Sequence, residues 1–162
     1  MSEIVVQKFG GTSVGTVDRI DSVAEIIKNA SKSNKIVVVV SAMGGETNRL
    51  VDLAKAFGDD PDKREFDALV STGETVSSAL LTMALHSKGV KAKSFSASQI
   101  SMRTTSSYSK AKILDVDAKK ILDVVENDTI PIITGFQGVT EGGDVTTPVS
   151  YTHLTLPTKV EV

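Results

Sequence analysis

The chain has no cysteine and no tryptophan, and its 162 residues include only five phenylalanines and two tyrosines. Without cysteine there are no disulfides and no thiolate metal sites. With so few aromatics, the 40% apolar content falls to Val, Ile, Leu and Ala, the composition of parallel strands covered by helices. Long apolar runs are missing too: the longest, Ile36 to Val40, is far too short to span a bilayer. Neither charge dominates. Eighteen basic and 20 acidic residues leave a formal net charge of −2, which gives no electrostatic reason to expect nucleic acid or a membrane surface as partner. An anionic small molecule stays open, since a nest of backbone N–H groups needs no net positive charge. The two histidines, His86 and His153, are far apart and suggest no metal cluster. Met1-Ser2-Glu3 leads straight into a strand-like run without a leader pattern, so a cytoplasmic setting is expected.

What is present is an alternation of two periodicities. Ile4 to Phe9 is a β-branched run that stops at Gly10-Gly11, a strand entering a turn. Ile20, Val23, Ala24 and Ile27 follow at helical spacing, and Ile36 to Val40 is apolar on both faces, as a buried parallel strand requires. Leu50, Leu53, Ala54 and Phe57 predict a helical stripe closed by Gly58. A short helix is expected over Lys63 to Val70. A second is marked by Val76, Ala79, Leu80 and Met83 and ends near Lys88-Gly89. Ala92 to Phe95 and Ile130 to Thr134 read as strands, with a helical face at Ile121, Leu122 and Val125 between them. The Ser/Thr-rich stretch from Ser94 to Ser109 reads as irregular or as a hairpin. The pattern predicts a three-layer αβα sandwich with a mainly parallel sheet.

Four constellations sit at the turns. Lys8-Phe9-Gly10-Gly11-Thr12-Ser13-Val14-Gly15 lies between a strand and a helix. Its glycines let backbone N–H groups approach an anion, and Lys8 can offer a point charge to phosphate oxygens. It matches neither a Walker A loop nor G-x-G-x-x-G, and a plain turn is the alternative. Ser41-Ala42-Met43-Gly44-Gly45-Glu46-Thr47-Asn48 closes the valine strand, at the strand end where ligands of open α/β sheets collect; otherwise Thr47 simply caps a helix. Ser71-Thr72-Gly73-Glu74-Thr75 places a carboxylate at an expected helix start, to bind a substrate ammonium or merely to complement the dipole. Thr134-Gly135-Phe136-Gln137-Gly138 closes another strand, with Asp144-Val145-Thr146-Thr147 beyond it. Arg103, Lys110 and Lys112 read as solvated surface charge.

Together and in this order, these segments resemble the aspartate kinases of the amino-acid kinase family, over residues 3 to 147. The resemblance implies the amino-acid kinase fold and transfer of phosphate from ATP to L-aspartate, giving 4-phospho-aspartate and ADP at the start of lysine, threonine and methionine biosynthesis. By matching positions it implies that Lys8, Phe9, Gly10, Gly11, Ser13 and Ser41 contact the phosphates. Ser41, Thr47, Glu74 and Phe136 would then line the aspartate pocket, with Glu74 partner to the α-ammonium. Lys8 would be the catalytic residue. Mg²⁺ would be carried with the nucleotide rather than held in a protein metal site, and the full-length family member is expected to be a homo-oligomer. A carboxylate nucleophile with a free pKa near 3.9 is already ionised at neutral pH, so the chemistry needs alignment and charge cancellation rather than a base.

The resemblance stops at Thr147. Family members continue with Leu-Gly-Arg-Gly-Gly-Ser-Asp, a nucleotide-binding half and regulatory domains, whereas this chain reads Pro148-Val149-Ser150-Tyr151 and on to Val162. Residues 148–162 are therefore expected to be a non-family, artefactual tail on a truncated domain, with a sheet-edge strand over Tyr151 to Leu156 as the alternative. Such a chain is expected to form no aspartyl phosphate by itself and to be marginally stable, with uncovered sheet faces. Other readings are a different amino-acid kinase relative or a non-catalytic module retaining an aspartate pocket.

Overall fold

A computed structural model of the chain describes residues 4–148. The expectations for residues 149–162 lie outside that range. Strands β1 (Ile4–Phe9), β2 (Lys35–Val40), β3 (Ala92–Phe95) and β6 (Ile130–Thr134) form an all-parallel sheet in the order β1-β2-β6-β3. Helices α1 (Val17–Ala30), α2 (Glu46–Lys55), α3 (Lys63–Ser87) and α4 (Ala118–Glu126) surround it. The layering follows from the two-residue repeat of the strands. Ile36, Val38 and Val40 of β2 and Ile132 of β6 join α1 and α3 in one apolar core, with Ile27, Leu81 and Leu85 wholly buried. The alternate residues Val37, Val39 and Ile133 meet Val125 and Ile121 of α4 in a second. Helix layers thus cover both faces, the expected three-layer αβα sandwich.

A second sheet is polar and short. Strands β4 (Arg103–Thr104), β5 (Ile113–Asp115), β7 (Gly138–Val139) and β8 (Val145–Thr146) pair in the order β5-β4-β7-β8. The Ser/Thr-rich stretch thus contributes a two-residue strand within an otherwise irregular path. Arg103 faces solvent and pairs with Asp115, and Lys110 and Lys112 are exposed as expected.

Three expectations need correcting. The segments Lys63–Val70 and Val76–Met83 are one continuous helix of 25 residues rather than two. The Ser and Thr hydroxyls that suggested a break bond backward to their own helix instead, Ser71 Oγ donating to Ala68 O and Thr72 Oγ1 to Leu69 O. The buried face of its second half is also displaced by two residues from the predicted stripe: Ser77, Ser78, Leu81, Thr82 and Leu85 are buried, while Val76 and Met83 are exposed. An all-apolar stripe was the wrong guide because this helix buries hydroxyls. Third, Leu50 and Ala54 of α2 are buried, but Leu53 is half exposed and Phe57 is 95% exposed, past the helix end. Helix α3 is long and apolar enough to cross a membrane by length and composition, yet half of that window is buried within the fold.

Candidate active site

Parallel register brings the motifs together. Phe9 pairs with Val40 and Val40 with Thr134, so β1, β2 and β6 end side by side. Backbone bonding continues just past the strands, from Ser41 N to Phe9 O and from Gly135 N to Val40 O, both 3.0 Å. The loops following all three strands therefore open onto one crevice at the carboxyl rim. Its volume is about 700 Å³, and Lys8, Gly11, Ser41, Thr47, Glu74 and Phe136 line it.

The first two glycine loops nest against each other. A Cβ on Gly11 would stand 2.9 Å from Ala42 O, so only glycine lets the first loop lie on the second. Gly73 does the same for the helix: a Cβ there would meet the Ala42 Cβ at 3.0 Å. The glycine inside α3 is thus a contact point for the second loop rather than a stop.

Helix α3 then stitches both rims. Ser77 Oγ donates to Ser41 O at 2.7 Å. Glu74 is 3% exposed, and its Oε2 accepts from the Phe136 N–H at 2.7 Å. Gln137, also buried, donates from Nε2 to Ser71 O (2.7 Å) and Thr75 Oγ1 (3.1 Å), while its Oε1 accepts from Thr134 Oγ1 at 2.9 Å. Burial pushes the Glu74 carboxyl up to about 8; the Phe136 N–H and the nearby Lys8 charge oppose that rise without cancelling it. A buried acid in a polar crevice, facing a cation and a backbone donor, is suited to receiving a positively charged ligand group.

Several predicted residues stand elsewhere. Phe9 is 4% exposed and packs into the core beside Val14 and Ile20. It lies on the opposite face of β1 from Lys8, and its side chain meets no ligand space. Gly10 and Ser13 belong to the first loop but not to the crevice lining; Ser13 N bonds to Gly10 O in its turn. Glu74 lies in the middle of α3, so neither dipole complementation nor a helix start explains it. Thr47 is within α2, whose N-cap is Gly45 without a side-chain bond, which removes the capping alternative. Gln137 and Ser77 had no assigned role. Gln137 was inside a recognised motif, but its value as a double donor emerges only when the loop docks on α3. Among the described residues no three His, Asp or Glu side chains gather as a metal site.

Comparison with known proteins agrees with this geometry. The chain matches the model of the amino acid kinase family over residues 3–151. It is 52% identical over 145 residues to an aspartate kinase of Stutzerimonas stutzeri, covering 89% of this chain and 35% of that protein. Among solved structures it superposes with a TM-score of 0.79 on E. coli aspartokinase III in complex with aspartate and ADP, at 26% identity over 90% of this chain and 43% of that one. The aspartate kinase from Synechocystis gives a TM-score of 0.76 at 39% identity, over 89% of this chain and 23% of that one. The chain spans about a third of the length of the curated relatives it matches. With its αβα layers, its carboxyl-rim crevice and this match over almost the whole sequence, the chain belongs to the amino acid kinase family.

Proposed function

We propose that the crevice is the aspartate-binding and phosphate-facing part of an aspartate kinase site, which transfers the γ-phosphoryl group of ATP to the side-chain carboxylate of L-aspartate. One observation carries the reading: Lys8, Ser41, Thr47 and Glu74, scattered along the sequence, line a single crevice in which Glu74 is held by Phe136 N–H. Glu74 receives the α-ammonium. Thr47 and the Phe136 stretch enclose the amino acid, while Ser41, Lys8 and the Gly10-Gly11 loop face the phosphates. In the reaction a carboxylate oxygen forms a bond to the γ-phosphorus as the bond to the ADP oxygen breaks, and the Lys8 ammonium stabilises the oxygens gaining charge. Among the described residues Glu74 is the one carboxylate lining the crevice, and it is already engaged, so Mg²⁺ fits as an ion borne by the nucleotide phosphates.

The matched relatives are about three times as long, so this reading concerns the site rather than turnover by these 162 residues alone. We read residues 1–147 as the N-terminal part of the amino acid kinase domain; Pro148 still lines the crevice, and the family match runs on to residue 151. The complete protein is read as a cytoplasmic homo-oligomer. Isothermal calorimetry on the chain tests the reading. L-aspartate is expected to bind, and Glu74→Ala is expected to abolish binding. Because Glu74 holds a proton near neutral pH, an arriving ammonium displaces it, and the heat measured at pH 7 should vary with the ionisation enthalpy of the buffer. Absence of aspartate binding, or equal binding by Glu74→Ala, overturns the reading.

A further inference from the structure

Asp67 is wholly buried and takes no part in the chemistry above. It sits seven residues before Glu74, hence on the same face of α3. Four groups donate to it and it donates to none: Ser109 N–H at 2.8 Å and Thr147 N–H at 3.0 Å to Oδ2, and the hydroxyls of Ser109 at 3.1 Å and Thr147 at 2.6 Å to Oδ1. The two segments it grips are joined again just beyond, where Ala111 bridges Pro148. From there they run directly into the crevice, since Ile113 and Pro148 line its outer side. A second tie, Arg64 to Asp144 with Tyr108 donating to the same carboxylate, lies nearer the solvent, where screening weakens such pairs.

We propose that Asp67 is a positioning residue that fixes the outer wall of the crevice, formed by Ile113 and Pro148, and so sets how tightly the crevice holds its amino-acid ligand. The ligand part rests on the aspartate reading given above; the attachment of the wall does not. The short strands β4, β5, β7 and β8 have little apolar core of their own, so a buried acceptor satisfying four donors is their main anchor on α3. The wall then belongs to the same rigid helix that carries Glu74, and the spacing between them is fixed across one element.

The cysteine-free sequence makes a single reporter thiol unambiguous. Ala111→Cys places one at a buried position beside the wall, and Ala24→Cys places a control in the apolar core. Adding Asp67→Ala is expected to raise the labelling rate at position 111 about tenfold or more and leave position 24 protected. Asp67→Asn should remain close to the unsubstituted rate. Its carbonyl can accept from both N–H groups while its amide donates to both hydroxyls. In calorimetry, aspartate should bind about tenfold more weakly to Asp67→Ala and nearly normally to Asp67→Asn. If Asp67→Ala unfolds the chain and labels both thiols, Thr147→Val decides, with about threefold faster labelling expected at 111 alone. Unchanged labelling at 111 in a folded Asp67→Ala or Thr147→Val chain overturns the proposal. So does Asp67→Asn behaving like Asp67→Ala, equal exposure of both thiols in Thr147→Val, or an unaltered aspartate affinity in Asp67→Ala. Failure of the unsubstituted chain to bind aspartate would instead overturn the functional reading, with the labelling still deciding the wall's attachment.

Discussion

The first half of α3 buries Asp67, Ser71 and Glu74, whereas its second half buries Leu81 and Leu85 in the apolar core against β2 and β6. The Asp67 and Glu74 carboxyls and the Ser71 carbonyl each have a partner brought by a separate loop: Ser109 and Thr147, Phe136, and Gln137. Beyond Ser77, whose hydroxyl reaches Ser41 O, the buried hydroxyls of Ser78 and Thr82 bond back to their own helix, and attachment relies on area removed from water and on close packing. One helix thus fastens the site at one end and the fold at the other, and the two ends fail in different ways. Loss of a methylene cluster costs stability; loss of a buried polar contact changes where a loop sits.

The largest effect is expected in the second half. Leu85→Ala should cost about 2–5 kcal/mol in urea unfolding, because a wholly buried side chain leaves a cavity. Aspartate affinity of the folded molecules should be unaltered. A loss below about 1 kcal/mol would erase the contrast between the halves.

The next is a pH effect confined to the first half. The Glu74 carboxyl stands at about 8 in the folded chain against 4.5 for an unperturbed group. Between those values the folded state keeps a proton that the unfolded state has released, so stability falls as pH rises through the window. The limiting slope is about 1.4 kcal/mol per pH unit. Glu74→Gln removes the titration and should flatten that decline, leaving the variant the more stable of the two at pH 9. Parallel pH profiles from urea melts of the two proteins would exclude it.

Gln137→Leu should cost about 1–3 kcal/mol, since it strands the buried Thr134 hydroxyl and removes the bonds to Ser71 O and Thr75 Oγ1. It should weaken aspartate binding as well, because Phe136 is the preceding residue. A purely energetic loss with unchanged affinity would show that loop position and stability are separable here.

The smallest effect sharpens the phase of the helix. Met83→Gln should change stability by no more than about 0.5 kcal/mol, as Met83 is 64% exposed. A loss of several kcal/mol would restore the stripe first read from the sequence.

The parallel strands were legible because buried valine and isoleucine runs admit few other structures, and the predicted bounds of β3 and β6 coincide with those observed. The loop motifs at their ends were legible for the same reason. Lys8, Ser41, Thr47, Glu74 and Phe136 all reach the crevice as expected. The Phe9 side chain points into the core instead, because a motif is contiguous in sequence while a strand sends neighbouring side chains to opposite faces. The continuity of α3 was hidden because Ser71, Thr72 and Gly73 have weak helix propensity, which tertiary contacts outweigh. Asp67 and Gln137 were invisible because their partners lie 42 to 80 residues away.

The sequence by itself determined the αβα layers and the loops that carry the chemistry, since hydrophobic period and glycine placement are local properties of the chain. Only the tertiary structure decided how Glu74 is held and that Asp67 matters at all. Burial raises the Glu74 carboxyl, long-range donors anchor the outer wall on Asp67, and neither effect exists until distant segments share the same dry space.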